Sequence, residues 1–259
     1  MNFPRIVVAV KGRFAQRGFV TASYTRSASR DNSGALPIGN YPIEYPLSRF
    51  YGPSGWDVPN RLSIGWSYQL PGLRNGQGLL GRLGSGWEIS SLTALQSGLP
   101  FTAVTSGALS VAQDSSGNIS YQPGSGDFNA DGDNNDFPNV STYHTSTSRK
   151  NYIQGIFPHC PGTNLDGCGL FTLPQLGQEG NERVNQFRNP GFAQVDATFK
   201  KVTGITEGVK LDLRLDFFNL FNRVNLTGVN TDAASGSTFG VSTSTQIPRQ
   251  GQIGARLEF

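Results

Sequence analysis

The sequence predicts an all-β chain, an antiparallel meander that forms part of a transmembrane β-barrel: about seven strands of a large barrel, with long external loops. Three observations predict it. Apolar and polar residues alternate with a strict period of two in several segments, which a helix could not use. Only 15% of the 259 residues are charged, Gly numbers 33, and Ala, Glu and Lys are thin, a mix that disfavours helices. Third, the connections between the alternating segments sort by length, as the turns and loops of an outer-membrane barrel do.

The strands fall at about 5–14, 18–27, 61–70, 87–105, 190–202, 209–226 and 251–259. RIVVAVKGRF and GFVTASYTRS open the series, separated by three residues. RLSIGWSYQL places Leu62, Ile64, Trp66, Tyr68 and Leu70 on one face. WEISSLTALQSGLPFTAVT is less regular. FAQVDATFKK sets Val195, Ala197 and Phe199 against Gln194, Asp196, Thr198 and Lys200. The next segment alternates most cleanly, with Lys210, Asp212, Arg214 and Asp216 between Val209, Leu211, Leu213, Leu215 and Phe217. GQIGARLEF closes the chain with Ile253, Ala255, Leu257 and Phe259 on one side and Arg256 and Glu258 on the other.

The connections run short (15–17), long (28–60), intermediate (71–86), very long (106–189), short (203–208) and long (227–249). If the chain ends in the periplasm, every long connection lies outside. Trp66, Tyr68, Phe217, Phe218, Phe221 and Phe259 lie in or at the ends of strands, where an interface belt places aromatics. Arg214, Asp212, Asp216, Arg256 and Glu258 suit a wet lumen wall, where they form cross-strand charge pairs. The alternative is a secreted, soluble β-sandwich binding or adhesion module with a calcium loop.

Several function classes drop out. The net charge of +3 carries no dense basic run, so nucleic acid is not implied. No stretch approaches the roughly 18 to 20 apolar residues of a membrane helix. The start, MNFPRIVVAVKGRF, lacks the apolar region and cleavage site of a signal peptide, so either the protein is cytoplasmic or this is not the native N-terminus. His144 and His159 stand in polar loops outside any HxxxH or HExxH frame, and no GxSxG elbow joins a strand to a helix. The formal GxGxxG of GQGLLG has no helix pattern after it and no acidic residue about 20 positions on, so it reads as a periplasmic turn. The chain is not expected to be an enzyme.

Two loop features carry chemistry. DFNADGDNND places Asp127, Asn129, Asp131, Asp133 and Asp136 around Gly132, oxygen ligands at nearly alternate positions that resemble the first half of a calcium loop. Pro138 stands where the twelfth-position acid would be, so this is not an EF-hand, and calcium here would order a loop; a solvated acidic turn is the other reading. Cys160 and Cys168 in CPGTNLDGC are expected to close a small disulfide, with two thiols as the alternative. Asn219, Asn222 and Arg223 in FNLFNR either line the mouth or form a turn.

YGPSGWDVPNRLSIGWSYQLP, GWEISSLTALQSGLPFTA, RNPGFAQVDATFKK, LDLRLDFFNLFNRVNL and RQGQIGARLEF, in this order, resemble the C-terminal part of large TonB-dependent outer-membrane receptors with a carboxypeptidase-regulatory-like domain, the Oar-like family. The most specific pieces are DFFNLFNRVNL (216–226) and the terminal RQ-x-Q-x-G-x-R-x-x-F (249–259). The resemblance implies a barrel of about 22 strands filled by a plug in the cell outer membrane. Such a receptor takes up a small-molecule, glycan or peptide substrate with energy passed through TonB, and meets outer-membrane lipid and the barrel-insertion machinery. Phe259, last on an alternating strand, resembles the signal that this machinery reads. The sequence shows no signal peptide, regulatory-like domain, TonB box or plug, so residues 1–259 are expected to be one C-terminal barrel segment, with 106–189 its long external loop region and two sheet edges exposed.

Overall fold

A computed structural model describes residues 4–32, 47–72, 78–106, 110–122, 126–129, 135–141, 171–175, 177–206 and 208–259. Seven long strands form one antiparallel sheet in chain order: β1 (Arg5–Phe14), β2 (Gly18–Ser27), β3 (Asn60–Gln69), β4 (Trp87–Gln96), β5 (Phe192–Gly204), β6 (Lys210–Phe218) and β7 (Gln250–Glu258). Each strand pairs with its neighbours in sequence. The outer edges of β1 and β7 have no partner among the described residues.

The register carries the sequence alternation across the whole sheet. Val8, Tyr24, Leu62, Leu95 and Ala193 share one face, as do Phe199, Leu215 and Ile253 with Ile89 and Tyr68. The other face holds Lys11, Thr21, Ser63, Gln194, Lys200, Arg214 and Gln252. Because the side-chain period is two, a slip of one residue in any strand would scramble these faces. No strand slips.

Among the described residues no second sheet covers the apolar face. Ile6 is 65% exposed and Ile253 81%, whereas the buried hydrophobic residues, Ala197 apart, lie in the connections. A soluble sandwich would press a second sheet on this face. Among the described residues every other pairing is two-stranded, with strands of two to four residues, and none of these forms such a second sheet.

In three strands the boundaries move by two residues or more. β4 ends at Gln96 instead of 105, where Gly98 packs against the backbone of the 188–190 segment; a Cβ on Gly98 would sit 1.8 Å from the Asn189 carbonyl oxygen. Pro100–Phe101 pairs separately with Phe187–Arg188. β6 ends at Phe218 instead of 226, since Asn219 and Asn222 take left-handed φ values of 53° and 50°. β5 starts two residues late and runs on to Gly204.

The segment read as a plain turn contains a helix, α1 (Gly78–Gly84). It ends at Ser85 and Gly86, the latter at φ 75°. The Ser85 hydroxyl donates to the Gly81 carbonyl at 2.5 Å.

The core sits among the long connections. Phe101, Ala103, Phe171, Phe187, Val229, Ala233 and Phe239 form one cluster. Its rings touch at centroid distances of 5.8 Å (Phe101–Phe187), 5.7 Å (Phe171–Phe187) and 4.9 Å (Phe171–Phe239, edge to face). A backbone bridge ties it to the last long connection: Val104 N–H donates to Thr231 O at 2.9 Å and Ala233 N–H to Val104 O at 2.7 Å. A smaller cluster joins Phe50, Phe137 and Val184.

Candidate pore wall and ligand-facing loops

The polar face forms a wall of paired charges on β5, β6 and β7. Lys200 and Asp212 meet across strands at 3.0 Å, while Arg214 pairs with Asp216 along β6 at 2.8 Å. Thr198 adds a hydroxyl donor to Asp216 at 2.5 Å. Arg256 and Glu258 approach to 3.5 Å along β7. Thus the expected cross-strand pairing is partly an along-strand one, at residues i and i+2 on the same face. A depression of about 470 Å³ lies over these side chains.

At the far end of the wall, FNLFNR folds back on itself. Asn219 Oδ1 accepts from Arg223 N–H at 2.9 Å, and Asn219 Nδ2 donates to the Arg223 carbonyl, also at 2.9 Å. Asn219 N–H donates to Asp196 Oδ1 at 2.8 Å, and Asn222 Oδ1 accepts from Arg249 N–H at 3.0 Å. Both asparagines therefore build turns, the second of the two readings. Arg223 lines a cleft described below.

In the connections, three acids hold the loops together. Asp136 is fully buried, and its Oδ2 accepts from the backbone N–H groups of Phe128 and of Asn129 (3.2 Å). Glu179 Oε2 accepts from Phe137 N–H at 2.9 Å, with the Arg49 guanidinium 3.9 Å away. Glu182 Oε1 accepts from Ala103 N–H at 2.7 Å, tying 182 to the segment after β4. Burial, and then the charge of Glu179, push the Asp136 carboxyl up to about 8. Burial also pushes Glu182 well above the usual carboxylate range. The Asp136 and Glu179 carboxyls are close enough for each to disfavour charge on the other.

Of the calcium candidates, Asp136 belongs to this arrangement and Asn129 joins it through its backbone N–H, while Asp127 precedes Phe128 in the chain; Asp131 and Asp133 lie outside the described residues, as do Cys160, Cys168, His144 and His159. Among the described residues no group of three or more His, Cys, Asp and Glu side chains surrounds a common cation position. The roles of Glu179 and Glu182 left no mark in the sequence, because their partners stand 42 and 79 residues away. Arg188 was likewise missed. It donates to the carboxylate of buried Asp57, and to the Asp57 and Gly98 carbonyls at 3.0 and 3.2 Å, joining the long connections after β2 and β4.

A family model described as an outer membrane beta barrel domain matches residues 2–252. The chain belongs to this outer membrane β-barrel family. No curated protein and no solved structure matches it.

In an outer membrane β-barrel the two faces acquire their media. The apolar face meets lipid and the polar face the lumen, the reverse of a soluble barrel. Aromatic residues gather on the lipid face near the short-turn end: Phe14 stacks on Tyr68 with centroids 6.0 Å apart, and the Trp87 indole donates to Leu83 O at 2.9 Å. That is the interfacial belt such barrels carry. Phe221, beyond the end of β6, is 74% exposed on the loop side. Phe259 follows β7 and is 97% exposed, touching little of this sheet.

Proposed function

We propose that the chain is wall and external loops of a TonB-dependent receptor barrel that takes up a substrate with energy from the inner membrane. One observation carries it: a charged, side-chain-lined wall leads up to long connections that have a phenylalanine core of their own. Such loops are built to hold a shape outside the membrane, which ligand capture requires. The ordered strings from YGPSGWDVPN to RQGQIGARLEF support the narrower family. The work is passive: no bond is made or broken, the wall lines the path, and a plug supplied from outside these residues gates it and contacts TonB. The substrate class is a small molecule, glycan or peptide. Phe259 is read by the insertion machinery.

Calcium belongs to the same proposal as an ordering ion. Asp127, Asn129 and Asp136 offer hard oxygen donors, and Asp136 Oδ1 has no hydrogen-bond donor on it. A cation there offsets the repulsion between Asp136 and Glu179.

The test is uptake. Cells carrying the full protein are compared with a deletion strain for import of labelled oligopeptides, glycans and metal chelates, with and without a protonophore. Import of one class that needs both the gene and the proton gradient is expected. Gene-dependent import that persists undiminished under the protonophore would mean a passive pore, and the receptor reading would fall.

A further inference from the structure

At the loop-side end of the lipid face lies a cleft of about 440 Å³, within the range of small-molecule sites. Its floor is Tyr24, Leu62 and Leu95, which stand side by side in register on β2, β3 and β4 and continue the apolar band. Its upper wall is polar. Asn60 accepts from the Tyr24 hydroxyl at 2.7 Å and from Arg26 at 3.5 Å, and Arg223 reaches in from the FNLFNR turn.

The charge balance is one-sided. Arg188 also lines the cleft, but Asp57 neutralises it. Neither Arg26 nor Arg223 forms an ion pair among the described residues, and no carboxylate lines the cleft. Arg223 in the wall and Arg26 beside the cleft on Asn60, above an apolar floor at the level where hydrocarbon gives way to headgroups, match one chemistry. We propose that this cleft binds the headgroup of an anionic, phosphate-bearing lipid of the outer leaflet, its acyl chain running down the Leu62 and Leu95 side of the sheet. The inference rests on the lipid-facing assignment of the apolar face and not on the receptor reading. Arginine suits the role because its planar fork takes phosphate oxygens two at a time.

The test uses the full protein extracted from outer membranes, with heat-modifiable gel mobility confirming that each variant is folded. A bisphosphorylated glycolipid and its dephosphorylated counterpart are titrated against the wild type, against R26Q/R223Q, and against the charge-keeping R26K/R223K. Saturable binding of the phosphorylated lipid is expected, weakened roughly tenfold or more by R26Q/R223Q and by dephosphorylation, and less by R26K/R223K. Equal binding of both lipids, or no loss in R26Q/R223Q, would overturn it. So would full displacement by inorganic phosphate, because the ligand would then be the free ion. If R26Q/R223Q does not fold, the lysine variant and the lipid pair decide the same question.

Discussion

The Lys201 ammonium lies 5.0 Å above the Trp87 ring, on the face where every neighbouring strand presents hydrocarbon. It is 7% exposed and donates to the carbonyls of Arg82 and Ser85, at 2.8 and 2.6 Å, at the C-terminal end of α1. A lysine toward lipid is costly unless its charge is met. Here the helix end, which carries partial negative charge, and the indole face meet it together. The helix is thereby moored to the short-turn end of the sheet, beside the aromatic belt.

Lys201→Ala removes two charge-assisted hydrogen bonds and the contact with Trp87, and should lower stability by about 2 kcal/mol. Urea unfolding of the full protein in lipid vesicles measures this. An unchanged midpoint would mean that the mooring contributes nothing.

The Asp136 carboxyl, with an ordinary value of about 3.9, is raised to about 8 in the folded loops. A raised acid binds its proton more tightly when folded, so the stability it contributes is present below about pH 4 and is lost as pH rises through 8. Loop protection around 126–141 should therefore fall, by at most about tenfold per pH unit, between these limits. Hydrogen exchange against pH checks it, and Asp136→Asn should flatten the profile. A protection that grows with pH would reverse the assignment.

Gly98→Ala should open the junction between β4 and the loop core, because its Cβ would fall 1.8 Å from Asn189 O, a backbone atom that cannot swing aside. The cost is roughly 2 kcal/mol or more. Limited proteolysis should cut near 97–101 in the variant and spare the wild type.

Deleting Phe259 should separate assembly from stability. Its side chain is 97% exposed, so the inserted protein should lose less than about 0.5 kcal/mol, while its yield in the outer membrane falls severalfold. Quantifying folded protein in isolated outer membranes against total protein reads both. Equal yield would show that the terminal aromatic is only a strand end.

The long strands were legible because each carries its own period: Lys210 to Phe217 announces two faces without any partner. Their ends were not, since β4 stops where Gly98 meets Asn189, a contact spanning 91 residues. Helix α1 escaped notice for the opposite reason, being short, glycine-rich and fixed by Lys201 far along the chain. The loop core was hidden too. Phe101, Phe171, Phe187 and Phe239 have no common period, and only the fold brings them together. The acids show the same limit. The acidic run around Asp136 marked an oxygen donor, but that its Oδ2 clamps the backbone N–H groups of Phe128 and Asn129 shows only in space.

The central claim is that alternate residues of one strand face lipid and lumen. Single cysteines at Leu213 and Arg214, in the full protein with Cys160 and Cys168 replaced by Ser, carry an environment-sensitive fluorophore in vesicles of brominated lipid. The account predicts strong quenching at 213 and little at 214, with the reverse order for a water-soluble quencher admitted to the lumen. Equal quenching at both positions, or quenching by lipid at 214 alone, would contradict it.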